Sequence, residues 1–234
     1  MYRRITLFLF TTVLSLLAIV PAAAQECCVI VEPPPFGPWN VTVDYHRVNA
    51  TIADQIATTE VEMQFTNDGE GLAEGTFIFP LPEGAAVDEL VMFIDGLAIE
   101  ARILRAEEAR AIYNEIVRQY RDPALLEYIG TSAIQASVFP IPAGESRQIL
   151  IRYSQVLEVD NGLINYTYPM QSALINQVIG QMSISVDVTS NDPVSSIYSP
   201  SHNVLVSRAQ DTDTAFRTGF EQLDFIPGED FNLF

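Results

Sequence analysis

In segment after segment of this chain, apolar residues recur at every second position, and turn residues separate the segments. Thr59, Val61, Met63 and Phe65 alternate with Glu60, Glu62 and Gln64; Met182, Ile184, Val186 and Val188 repeat the pattern further on. A period of two places alternate side chains on opposite faces of a pleated strand, so each segment needs a core on one side only. By the same rule Val41, Val43 and Tyr45 form the apolar face of an earlier strand, with Thr42, Asp44 and His46 on its polar face. Asn67-Asp-Gly69, Asp95-Gly96 and Asp160-Asn-Gly162 supply turns between such strands. Asp-Gly and Asn-Gly pairs tolerate the left-handed backbone that tight hairpins require. Further strands are predicted over 75–82, 97–104, 164–168 and 203–207 and near Phe216, for a total of about ten or eleven.

One stretch departs from this period. Ala106, Ala109, Tyr113, Ile116, Val117 and Tyr120 recur at steps of three and four, while Glu107, Glu108, Arg110, Glu115, Arg118 and Arg121 occupy the other faces. That spacing predicts an amphipathic helix over 105–121, stopped by Pro123. Pro123-Ala-Leu-Leu-Glu-Tyr-Ile-Gly130 then reads as a tight connector, and 132–158 as two strands folded against each other by the turn at Pro142-Ala-Gly144. The expected fold class is mainly β: an antiparallel β-sandwich with one amphipathic helix, about residues 105–121, packed on it.

The apolar fraction of 48% over 234 residues is ample for such a core. The N-terminus reads as a signal peptide over 1–24: Arg3 and Arg4 precede an apolar run over 5–20, and Ala22, Ala23 and Ala24 offer small residues for cleavage. No second apolar run is long enough to span a membrane, so no span is expected after cleavage, and the chain is expected to be secreted, periplasmic or in the cell envelope. A Cys/Pro-rich leader follows over 25–38. Its adjacent Cys27 and Cys28 cannot staple two elements together, but they can form a vicinal disulfide, link to another chain, or stay as thiols. The formal charge of −18 repels phosphate backbones and bare anionic membranes, which excludes nucleic acid as a partner. All twelve basic residues are arginine, so Schiff-base and lysine-base chemistry are excluded as well.

Four phrases over 105–158 carry a resemblance: Ala109-x-x-x-Tyr113; Pro123-Ala-Leu125-Leu126-Glu127; Val138-Phe139-Pro140-Ile-Pro142; and Ile151-Arg-Tyr153-Ser-Gln155. In residue type, order and spacing the stretch resembles the core of the VIT domain, the vault protein / inter-alpha-trypsin module. The resemblance places that domain over 39–158 and a C-terminal β extension over 159–234. Ile197-Tyr-Ser199-Pro200-Ser-His202 resembles a phrase that follows this core in inter-alpha-trypsin heavy chains, and Asp230-Phe231-Asn-Leu-Phe234 resembles the strand that leads to their von Willebrand A domain. No A-domain pattern lies within residues 1–234. The resemblance therefore implies a non-enzymatic interaction scaffold that braces or docks an A domain, in cis or in trans, with 231–234 as an exposed docking edge. A stand-alone carbohydrate-binding or adhesive β-sandwich, using Trp39 and the tyrosines to stack on a glycan, is the alternative.

Other constellations point to ordinary structure. Asp187-Val-Thr189-Ser-Asn191 and Asp211-Thr-Asp213 hold oxygen ligands but lack the remaining features of a known cation loop, so no metal is expected. Two histidines and two adjacent cysteines give no zinc spacing, and no cofactor motif occurs. Ser199, Ser201 and His202 lack a nucleophile elbow and read as a capped turn, so no catalytic residues are assigned.

Overall fold

The computed structural model describes residues 41–94, 96–100, 124–129, 133–170, 178–208 and 212–234. The signal peptide, Cys27, Cys28, Trp39 and the helix expected over 105–121, with Ala109 and Tyr113, lie outside the described residues, as does Pro123. The described part is mainly β, with fifteen strands in chain order. They are β1 (Val41–Ala53), β2 (Ile56–Asn67), β3 (Ala73–Pro80), β4 (Ala86–Ile94), β5 (Leu97–Glu100), β6 (Ala124–Ile129), β7 (Ala133–Ile141) and β8 (Ser146–Val156). After them come β9 (Val159–Asp160), β10 (Leu163–Ile164), β11 (Tyr166–Tyr168), β12 (Ile179–Thr189), β13 (Leu205–Arg208), β14 (Ala215–Phe225) and β15 (Phe231–Leu233).

Eight strands form one sheet in the order β13-β14-β12-β1-β2-β8-β4-β5. Its core face carries the apolar half of each alternating segment: Val61 and Ile151 are fully buried, and Val48, Met182 and Ile184 nearly so. Each such side chain contributes about 1.5–3 kcal/mol by leaving water. The opposite face is polar and laced across strands. Arg152 on β8 bonds Glu60 on β2 and Glu89 on β4, both at 2.6 Å. Over the core face lie β11-β15 and the end of the β3-β7-β6 sheet, where Phe79 packs against both Tyr153 and Tyr168.

The large sheet is mixed, not antiparallel throughout: β1 and β12 run parallel, in register from Val43↔Ile179 to Ala53↔Thr189. Alternation records which face a residue occupies but not the direction of its neighbour, and these strands lie far apart in sequence, as a parallel pair requires.

A second departure concerns His46. It is buried, and Tyr45 is only half-buried, the reverse of the expected faces. A bulge between Val43 and Tyr45 inserts Asp44 opposite β2, and every later side chain of β1 switches face. Asp44 holds the bulge by accepting hydrogen bonds from Gln64 (2.7 Å) and Thr66 (2.5 Å). The irregular line continues across the sheet. Gly180 of β12 lies so close that a Cβ there would sit 2.5 Å from the Asp44 carbonyl oxygen, and Asp224 of β14 adopts a φ of 49°.

The segment before β7 also differs from expectation. Residues read as a tight connector form β6, which places Leu125, Leu126 and Glu127 opposite Ser137, Ala136 and Gln135 of β7. The following Pro142-Ala-Gly144 turn does not close a hairpin, because β7 pairs with β3 and β6 while β8 pairs with β2 and β4. The turn, with Gly144 at φ 74°, is instead a corner between two sheets. Buried Asn67 ties that corner down: its side chain donates to the carbonyls of Gly71 and Ile141, and its backbone bonds Gly144 and Glu145. Phe139 and Pro140 thus lie near the end of β7, which closes at Ile141, and Pro142 starts the corner.

Candidate interaction site

Two neighbouring regions of the molecule carry most of its chemistry. The first is a seam between β11 and the large sheet. Burial of Tyr166 and Tyr168 sets each hydroxyl a requirement for a partner. Tyr166 meets Thr59 at 2.9 Å; Tyr168 meets His46 Nε2 at 2.6 Å, the two rings being perpendicular. Burial pushes the Tyr166 hydroxyl up to about 12 and pulls the His46 imidazole down to about 4, so both are neutral at ordinary pH. Tyr153 packs within the same seam and is fully buried.

The seam continues into the C-terminal phrases. Tyr166 packs edge-on against Phe231, and His202 stacks on Phe220 at 4.6 Å and tilts against Phe231 at 5.6 Å. Ser199 caps the turn by accepting from the His202 backbone N–H (3.1 Å); Ser201 bonds His202 Nδ1 (2.9 Å) and accepts from the Asn232 N–H (2.9 Å). Pro200 sits inside this turn. Asp230 accepts from the Met170 N–H at 2.8 Å. Ser199, Pro200, His202, Asp230 and Phe231, picked from two separate phrases, therefore form one cluster. Burial lowers the His202 imidazole against an opposing pull from Glu229.

This cluster corrects the expectation of an exposed docking edge at 231–234. β15 pairs with β11 along one side, while on the other Asn232 bonds Ser201 and Phe234 exchanges two backbone bonds of 2.9 Å with Tyr198. Phe231 is fully buried and Leu233 nearly so. Such a strand leaves little to offer a partner as an edge.

The second region is an open groove of about 400 Å³ at the end of the large sheet. The β1–β2 turn, the β9–β10 hairpin, the stretch 190–197 and the end of β15 surround it. Ile52, Val188, Ile164 and Leu233 give it an apolar floor; Asp54, Ser190, Asp192, Ser195 and Ser196 line its polar rim. Local sequence explains each wall. Asp54 turns the chain at φ 53° and clamps Asn191, accepting from its backbone N–H (2.8 Å) and its side chain (2.6 Å). Asn161 and Gly162, at φ 51° and 83°, close the two-residue turn that the sequence predicted. That hairpin is too short to bury its own apolar residues, so Val159 and Leu163 remain 48% and 49% exposed.

The sequence contained no pattern for this groove, since 190–197 follows neither period; the one available signal was the apolar pair flanking Asn161-Gly162. The oxygen-rich stretches considered as cation loops are engaged elsewhere: Asp187 holds Arg217 in a two-bond pair, Asn191 holds Asp54, and Asp213 pairs with Arg208. No group of three metal-ligating side chains occurs among the described residues. No helix among them is long and apolar enough to cross a membrane.

The described residues form a β-rich fold with a sealed aromatic seam and an open groove at one end, and the sequence comparisons suggest a protein-interaction module. Residues 43–153 match the family model of the vault protein inter-alpha-trypsin domain, and this part of the chain is a VIT domain. Mouse protein mono-ADP-ribosyltransferase PARP4 is 29% identical over 129 residues, which cover 55% of this chain and 7% of that protein. Mouse von Willebrand factor A domain-containing protein 5A is 26% identical over 133 residues, covering 55% of this chain and 17% of that protein. The chain thus spans only a small part of the curated relatives it matches. Among solved structures, that of a candidate nutrient-binding protein of Legionella pneumophila superposes with a TM-score of 0.51 at 12% identity, over 89% of this chain and 72% of that one, a likeness of fold alone.

Proposed function

We propose that this protein is an exported, non-enzymatic interaction scaffold of the cell envelope or extracellular space, whose VIT domain braces a von Willebrand A domain carried in the same polypeptide or on a partner. The observation that carries this reading is the cluster joining 197–202 to 230–234. The two phrases that resemble the approach to an A domain are bonded to each other and to the core. A segment fixed in this way transmits position to whatever it contacts, because it has no freedom of its own to absorb force. Similarity to the mouse A-domain-containing protein supports the choice of partner, and the charged, then apolar, N-terminal sequence supports export. For the carbohydrate-binding alternative, Tyr153, Tyr166 and Tyr168 belong to the core and offer no ring to a sugar, which leaves Tyr198, 47% exposed, as the ring on the surface.

Covalent cross-linking of the native protein in its envelope fraction tests the proposal. Amine-reactive reagents are unsuitable for a chain with no lysine, whereas its thirty carboxylates suit a dihydrazide. The expected result is A-domain sequence, either in the same polypeptide or joined to it by cross-links. Recovery of the chain in isolation, with neither, would overturn the A-domain assignment.

A further inference from the structure

The groove at the sheet end has a chemical character that selects its occupant. Its floor is aliphatic, and beside it Val159 and Leu163 are left half-exposed. Exposed aliphatic groups gathered at one end of a domain mark a contact surface more often than scattered ones do.

Among the described residues, the charged side chains around it are acidic. Asp54 and Asp192 line the mouth, and Glu158 and Asp160, both exposed, flank Val159 on the hairpin. Among the described residues no arginine lines the groove, although the sheet's polar face pairs its arginines with carboxylates across strands. A rim of unopposed carboxylates around an apolar floor repels acidic segments and attracts basic ones, which gives selectivity more than raw affinity.

We infer that this groove is a peptide-docking site, and that its occupant is a short aliphatic segment of a partner protein flanked by arginine or lysine. The inference rests on the reading of the chain as an interaction module but not on the partner being an A domain. Its floor takes the aliphatic side chains, and Asp54, Asp192, Glu158 and Asp160 meet the flanking cations.

The test uses two synthetic peptides, Arg-Leu-Val-Leu-Arg and Glu-Leu-Val-Leu-Glu, both blocked at their ends, titrated into the isotope-labelled chain and followed by amide chemical shifts. The basic peptide is expected to move signals at 159–164 and 190–197 and to bind about tenfold more tightly than the acidic one, with the gap closing at high salt. Leu163→Asp, at an exposed hairpin position that folding does not depend on, should abolish the shifts. Asp192→Arg should remove the preference for the basic peptide. Equal binding of the two peptides, shifts located elsewhere, shifts that survive Leu163→Asp, or no binding at millimolar peptide would each overturn the inference. Those results leave the cross-linking experiment untouched, so the groove and the A-domain partner fail or stand separately.

Discussion

The seam under β11 and the groove at the sheet end are neighbours that share Tyr166 and Leu233, yet they are finished differently. In the seam the chain supplies both sides of every contact described above: Thr59 for Tyr166, His46 for Tyr168, and Phe231 and Phe220 for His202. At the groove it supplies one side only, leaving aliphatic floor and carboxylate rim open. The difference teaches where stability and recognition are separated in this fold. Substitutions in the seam should unfold the molecule, whereas substitutions in the groove should leave it folded and change only what it binds.

The strongest challenge to that division is Phe231→Ala, which removes a fully buried ring contacting Tyr166, His202 and Phe220. A loss of about 3–5 kcal/mol is expected in urea unfolding. A loss below about 1 kcal/mol would mean that β15 is an appendage and not part of the core.

Acid should act on the same seam. The folded state holds His46 near 4, below its ordinary 6.5, so the unfolded chain binds the proton first. Stability from this group is fully present above about pH 6.5 and is lost as pH falls toward 4, by about 3 kcal/mol in all. His46→Gln should flatten that part of the stability–pH curve, read from urea midpoints at each pH; an unchanged slope would contradict the burial of His46.

The bulge line that brings His46 inside can be tested at Gly180. Gly180→Ala places a methyl group against the Asp44 carbonyl and should cost about 1–3 kcal/mol, measured by thermal unfolding. Smaller still, Tyr168→Phe leaves His46 without its hydroxyl partner and should cost about 1–2 kcal/mol. Leu163→Asp stands at the bottom of the scale, with a change within about 0.5 kcal/mol, because the residue already faces water.

How much of this was legible beforehand depended on whether the information was local. The faces of β2 and the core side of β12 over 182–186 followed from alternation, and the Asn161-Gly162 turn followed from its residue types. His46 was assigned to the wrong face because one inserted residue, Asp44, inverts the alternation, and the spacing of apolar residues gives no sign of it. The parallel direction of β12 and the separation of β7 from β8 are long-range choices, made by strands that meet only in the folded sheet. The cluster of Ser199, His202, Asp230 and Phe231 was visible as two phrases but not as one structure. The groove was barely visible, since four separate segments build it and only the apolar residues around Asn161-Gly162 hinted at it.

Hydrogen exchange, read by mass spectrometry with and without the peptide Arg-Leu-Val-Leu-Arg, tests the central claim most directly. In the free chain β11 and β15 should exchange as slowly as β2 and β8, and 159–164 and 190–197 distinctly faster. On adding the peptide, protection should rise at the groove and stay unchanged in the seam. Fast, independent exchange of β11 and β15, or new protection confined to regions away from the groove, would contradict the account.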